Sequence, residues 1–330
     1  MFRRAIPARF SLPLVRKLPV TAARWHSSVP AAQNLTINGD RLWNDVYFTA
    51  QYSAPSPGGV TRLCADENDK LARDWFRCKY CSWAQSTRST RQAVSLQSSA
   101  ARPVPPIAMG SHLDTAATGG KFDGPLGVLS GLEVIRSFQE QGIKTRAPLA
   151  LINWTNEEGA RFFPPLGSST VYAGQTGVEQ ARASVSNDGS GITMGNELAK
   201  IGYVGNGSNT FEEFPISAHF EVHVEQSTDL EKAGKPVGWV EGWHGITYYE
   251  VTFTGEDSMY GRRNALTGAA KLITQLETLA HSRDGYTTAT NIQRTKVVFC
   301  LMHREAEGLE DMGTDIIRSI KGIASAWAAL

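Results

Sequence analysis

Residues 106–163 read PIAMGSHLDTAATGGKFDGPLGVLSGLEVIRSFQEQGIKTRAPLALINWTNEEGARFF, and this stretch decides the fold. Ile107–Met109 is a short apolar run that ends in Ser111-His112, and Leu149–Trp154 is a second that ends in Asn156-Glu157-Glu158. Between them Val128, Leu129, Leu132, Ile135 and Phe138 recur at helical spacing, and Gly142 is a natural stop. Strand, helix, strand implies a parallel pair joined by a right-handed crossover. Both polar clusters then fall at the carboxyl ends of neighbouring strands, where open α/β sheets hold their sites.

Working outward, 330 residues suffice for a large core and two domains. A hydrophobic content of 41% and a charged content of 20% are ordinary for a globular chain, and no apolar run reaches the length of a membrane span. Residues 1–39 carry Arg3, Arg4, Arg9, Arg16, Lys17 and Arg24 with no acid. Without them the formal charge falls from +1 to −5, with 27 basic against 32 acidic residues. Arg spaced among Phe2, Ile6, Phe10, Leu12 and Leu14 reads as a mitochondrial presequence over residues 1–34, or else as a disordered basic tail of an otherwise cytoplasmic protein. No second basic region supports nucleic-acid binding. Cys78-Lys-Tyr-Cys81 is a lone C-x-x-C, read as incidental reduced thiols.

Residues 40–77 are expected to be helical on both sides of a turn at Pro55–Gly59. The Ser/Thr/Gln/Arg-rich run at 79–104 has no period and reads as an atypical loop. Ala218–Glu225 alternates, so one strand would present His219, Glu221, His223 and Glu225 on a single face. Beyond a boundary near Gly234–Pro236, strands at Ile246–Thr254 and Lys296–Met302 alternate with helices at Asn264–Leu279 and Met312–Trp327. That order suggests a small α/β sandwich over 237–330, distinct from a first domain over 35–236.

His112, Asp123, Glu158 and His223 supply the nitrogen and carboxylate donors that borderline cations take. Adjacent acids at 157 and 158 suit a division of labour in which one binds metal and the other moves a proton. Asp114 stands two residues after His112 and is placed to orient its imidazole. Each has a plainer reading: a strand-end histidine is usually a satisfied polar group, Glu-Glu is usually solvated, and Asp123-Gly124-Pro125 makes a turn.

The motifs GSHLDT, GGKFDGPLGVLSGLEV, TNEEGARF and HFEVHVEQ resemble the amidase branch of the dinuclear-zinc peptidase/aminoacylase superfamily, over about residues 35–78 and 105–325. That branch holds N-carbamoyl-amino-acid amidohydrolases, allantoate amidohydrolases and yeast-type β-ureidopropionases, to which the chain is most similar. The resemblance implies an α/β zinc-peptidase-like catalytic domain with a mixed, mainly parallel sheet, interrupted by a smaller α/β sandwich lid through which subunits form a homodimer. It implies two Zn²⁺ per subunit, with Mn²⁺ as the alternative. His112 and His223 match ligands of one metal, Asp123 the bridging carboxylate, Glu158 a ligand of the other metal and Glu157 the catalytic acid/base. Gln226, Asn291 and Arg304 match substrate-binding positions. The implied reaction is hydrolysis of a linear amide C–N bond in a small N-carbamoyl or ureido acid such as N-carbamoyl-β-alanine.

The sequence departs from the pattern in three places. Residues 79–104 lack the family's hairpin strands, and Ser258 runs straight into Met259 where the family carries an oxyanion-stabilising His. The sequence reaches Leu330 without the segment that returns to the catalytic domain and supplies the last His ligand of the second metal. These departures set up the alternative of a catalytically inactive relative, a metal-binding or dimerising fragment that takes up fewer than two zincs.

Overall fold

The computed structural model describes residues 35–54, 58–81, 104–205, 207, 209–242, 245–255, 264–282, 286–293, 296–303, 311, 313–318 and 320–321. The expected presequence, the run at 82–103, the junction after Ser258 and Arg304 lie outside these residues. The chain divides between Thr228 and Asp229 into two compact units.

In the first unit β1 (Ile107–His112) and β2 (Leu149–Trp154) are parallel and in full register, from Ile107 opposite Leu149 to His112 opposite Trp154. The crossover helix α3 (Pro125–Glu140) starts with Pro at its first turn, where the missing N–H costs nothing. Its apolar stripe, Val128, Leu129, Leu132 and Ile135, is at most 1% exposed and packs against Leu149 and Leu151. The βαβ unit inferred from residues 106–163 is therefore the centre of this domain.

Two N-terminal helices flank it. In α1 (Gly39–Thr49) the Asn38 side chain caps the first turn by accepting from the Arg41 N–H at 2.9 Å. Val46 joins the α3 cluster, and Arg41 donates to the buried Glu133 of α3 at 2.8 Å. α2 (Glu67–Cys81) follows. The expected helical span of 40–77 is corrected here: 50–54 and 58–66 lie outside the helices, because this backbone pairs with the segment after β1. Val60 bridges Gly119, and the Thr115 N–H donates to the Arg62 carbonyl at 2.8 Å. The fully buried Arg62 fastens this connection by donating to the carbonyls of Leu113, Thr49 and Tyr52 at 2.7 to 3.1 Å. Residues 79–81, expected in a loop, are the last turn of α2.

After β2 come three short helices, α4 (Gly167–Tyr172), α5 (Val178–Arg182) and α6 (Met194–Lys200). Val171, Ala181, Met194 and Leu198 close over Cys64, Ala65 and Phe162 as a satellite core. β3 (Ala218–Phe220) then adds to the free side of β1, in parallel, giving the order β2-β1-β3. The expected strand over 218–225 stops at Phe220: only Ala218, His219 and Phe220 find ladder partners, on Ile107, Ala108 and Met109. Alternation of residue type continues past the point where backbone pairing ends. The three strands described in this sheet are all parallel.

The second unit starts with the short helix α7 (Asp229–Ala233). Its antiparallel sheet has the order β4-β6-β5, from β4 (Gly245–Thr252), β5 (Tyr286–Gln293) and β6 (Lys296–His303). α8 (Ala265–His281) is capped by Asn264 and buries Ala269, Leu272 and Leu276 with Phe253 and Ile316. Residues 313–318 are helical, within the expected last helix. The expected β-α-β-α order is corrected by one strand, since β5 precedes β6. Its sequence YTTATNIQ has the Thr and Tyr that suit a strand but no apolar alternation to announce one. Among the described residues no helix is long and apolar enough to cross a membrane.

Candidate metal centre

The polar ends of β1 and β2 meet the segment after β3. His112 closes β1 with its ring 1% exposed. Its Nδ1 lies 2.8 Å from the Asp114 backbone carbonyl, which leaves Nε2 as the free ring nitrogen. His223 approaches from the segment after β3, with ring centroids 5.7 Å apart. Its Nε2 is 3.4 Å from Asp123 Oδ1, and Gln226 donates to Asp123 Oδ2 at 2.6 Å. Asp123 stands just before α3, and Gly124 is the N-cap with φ +85.

The two acids follow a left-handed residue. Asn156 has φ 57, a conformation asparagine tolerates better than most residues, and its buried amide donates to the carbonyls of Phe162 at 2.7 Å and Pro164 at 3.1 Å. This turn carries Glu157 and Glu158 back toward β1. Glu157 Oε2 comes to 3.3 Å from His112 Nε2. The Asp114 carboxylate accepts from the backbone N–H groups of both Glu157 and Glu158 at 3.3 Å. The expected role of Asp114 is thus redistributed: its main-chain carbonyl orients His112, and its side chain holds the Glu157–Glu158 turn.

Two overlapping ligand sets result. His112, Asp123 and His223 offer donor atoms all within 4.8 Å of one another, and so do His112, Glu157 and Glu158. His112 Nε2 and Glu158 Oε1 are buried without a hydrogen-bond partner, an arrangement that a bound cation would relieve. Histidine nitrogen with carboxylate oxygen is a donor set that fits zinc.

Electrostatics support the crowding of acids. Burial, reinforced by Asp123, pushes Glu158 up to about 7. Burial also raises Glu157, and it pushes Asp114 up to about 6. For His112, burial opposes the charged ring, but the carboxylates of Asp114 and Glu157 outweigh it and raise its pKa.

The four residues read as metal ligands, His112, Asp123, Glu158 and His223, come together with Glu157, read as the acid/base, and Gln226 reaches Asp123. Asn291 lies on β5 opposite Val298, in the second unit. Three supporting residues escape the sequence. Ser111, fully buried, donates to Glu221 at 2.5 Å. Asp69 and Arg73 form a buried pair at 2.8 Å, and Arg73 reaches Thr155 at 3.0 Å, next to the Asn156 turn. Their i, i+4 spacing on α2 was the available signal.

Fold and side chains together define an α/β protein with a histidine and carboxylate centre at the carboxyl ends of parallel strands. Residues 108–316 match the model of peptidase family M20/M25/M40, and the chain belongs to that family. It is 36% identical to an N-carbamoyl-L-amino-acid amidohydrolase of Rhizobium meliloti over 257 residues, 75% of this chain and 61% of that protein. It is 31% identical to the N-carbamoyl-L-amino acid amidohydrolase of Geobacillus stearothermophilus over 265 residues, 77% of this chain and 64% of the relative. The chain therefore spans less than two thirds of the length of these two curated relatives. Among solved structures, a hydantoinase/carbamoylase family amidase from Burkholderia vietnamiensis superposes with a TM-score of 0.83 at 32% identity, covering 89% of this chain and 76% of that one.

Proposed function

We propose that the chain is a metal-dependent hydrolase of linear amide C–N bonds, acting on an N-carbamoyl amino acid, with N-carbamoyl-β-alanine as the specific candidate. The observation that carries this is the meeting of two candidate ligand sets at His112, one of which brings the adjacent acids Glu157 and Glu158 together. The relatives named as N-carbamoyl-L-amino-acid amidohydrolases support the substrate class.

In this proposal His112, Asp123 and His223 would hold one zinc ion and Glu158 would help hold a second, with Asp123 between them as the carboxylate available to both; manganese is the alternative. Ions in those positions would supply Lewis-acid polarisation of the carbamoyl oxygen and lower the pKa of water to about 7. Glu157, raised by burial, accepts the proton of the attacking water and returns it to the departing nitrogen. Asp114 keeps Glu157 and Glu158 in place through their amides. Gln226, which donates to Asp123, is assigned to the substrate. Asn291 and Arg304 are assigned to the substrate carboxylate, Arg304 by a bidentate pair. The products are the amino acid, ammonia and carbon dioxide. The second unit serves dimerisation, and the basic residues 1–34 serve mitochondrial delivery.

The test is a substrate panel on the full chain supplied with zinc: N-carbamoyl-β-alanine, N-carbamoyl-L-amino acids, allantoate and an N-acyl amino acid, with ammonia and amine detection. Ammonia release that disappears in Glu157→Gln is expected. Absence of turnover on the whole panel, or turnover that survives Glu157→Gln, refutes the hydrolase reading. Metal uptake without turnover is the competing outcome and would mark a metal-binding or dimerising relative.

A further inference from the structure

The β1–β3 ladder ends at Met109 opposite Phe220, three residues before each of the two histidines that face each other. Continued register would set His112 against His223, but the backbone pairing that could enforce it is gone by then. Something other than the sheet must hold residues 221–223 against the end of β1.

We propose that the Ser111–Glu221 hydrogen bond is that fastening, and that Glu221 is a positioning residue for the His112/Asp123/His223 ligand set. This rests on the metal-centre reading above. Ser111 is fully buried and immediately precedes His112, and Glu221 is two residues before His223. The hydroxyl donates to Glu221 Oε1 at 2.5 Å. The bond thus joins the two histidine-bearing segments just past the last strand pair, two residues beyond Met109 and one beyond Phe220. Oε2 of the same carboxylate lies 4.0 Å from His219 Nδ1, back on β3, so Glu221 spans from the strand to its continuation.

α3 closes the junction from a third side. A Cβ on Gly127 would stand 2.5 Å from the Val222 carbonyl oxygen and 2.6 Å from Ser111 Cβ. Helix, strand end and continuation therefore touch at one point, and among the described residues the Ser111 hydroxyl hydrogen-bonds there to Glu221. His223 itself is 37% exposed, and its remaining restraint is an Nδ1 contact of 3.2 Å to its neighbour's carbonyl and the 3.4 Å approach to Asp123. Without Glu221 the segment loses its hydrogen bond to the end of β1 and keeps its ties to Asp123 through His223 and Gln226, while Ser111 keeps a buried hydroxyl with no acceptor from this segment.

The test uses the full chain and cobalt(II) alone as the probe, read by visible absorption and by competition with a chelator. Glu221→Ala and Ser111→Ala are each expected to weaken cobalt binding about 10- to 100-fold and to alter the absorption bands, as loss of a group that orients a ligand does. Glu221→Gln keeps an oxygen acceptor for Ser111 and is expected to retain both affinity and spectrum. The double variant Ser111→Ala/Glu221→Ala should be no weaker than either single one. Wild-type affinity and spectrum in Glu221→Ala, or a Glu221→Gln as impaired as Glu221→Ala, overturns the proposal. Should Glu221→Ala fail to fold, Ser111→Ala carries the same expectation with the loss of one hydroxyl. A wild-type chain that takes up no cobalt overturns the metal-centre reading, and this proposal with it.

Discussion

Gly124 offers a sharp test of the metal centre. It is the N-cap of α3 at φ +85, and an added Cβ would stand 2.5 Å from His112 Nε2 and closer still to Cε1 and Nδ1. Ordinary carbon contacts need about 3.5–4.0 Å, so ring and methyl must separate by about 1 Å or more. The ring is 1% exposed and bound through Nδ1 to the Asp114 carbonyl, so it can yield only by giving up its present orientation. Gly124→Ala therefore swings Nε2 away from both ligand sets. Disturbing the support of a metal ligand costs about 10- to 100-fold in affinity, and the upper end, about 2.8 kcal/mol, is expected because His112 belongs to both sets. A further ~1–3 kcal/mol of folding stability is lost to the non-glycine backbone conformation. The assay is zinc or cobalt affinity by competition with a chelator, with thermal unfolding in parallel. Gly120→Ala is the control, since its Cβ would meet only Asp123 Cβ, at 4.0 Å. A folded Gly124→Ala chain with wild-type metal affinity would refute this account of His112.

Other substitutions separate chemistry from scaffold. Glu157→Gln should lower turnover about 100- to 10,000-fold while metal content by elemental analysis stays near wild type. Asp114→Leu strips the acceptor from the Glu157 and Glu158 amides and should reduce metal affinity about 10- to 100-fold, read by the same competition assay. Asp69→Leu leaves the buried Arg73 unpaired and should cost about 3–5 kcal/mol in urea denaturation. Glu197, held below the usual carboxylate range by its hydrogen bond to Arg161, contributes stability that is complete above the ordinary glutamate pKa and is lost as pH falls through its lowered value. Glu197→Gln should accordingly flatten the acid limb of the stability–pH curve and leave the neutral region lower by about 1–2 kcal/mol.

The βαβ unit and its acids are legible in the sequence because every signal there is local. Two uninterrupted apolar runs and a helical stripe lie within 58 residues, and the polar residues sit directly at the strand ends. Residues 218–225 mislead because alternation describes side-chain chemistry, whereas a strand is defined by a neighbour's backbone, and β1 supplies partners only as far as Phe220. β5 is silent because a polar strand lacks the period that marks burial. Asp114 shows a different limit. Its place beside His112 is readable, but which of its oxygens meets the ring depends on the return of the chain at Asn156, more than 40 residues away.

The Nδ1 contact of His112 has a consequence for loading. With that nitrogen committed to the Asp114 carbonyl, one nitrogen is left to serve both ligand sets. Given to an ion with Asp123 and His223, that nitrogen leaves the neighbouring position to carboxylates, chiefly Glu158, with Glu157 kept for the proton. The two positions would then be unequal: the one that owns the imidazole should release its ion last under a chelator, and its all-carboxylate neighbour first.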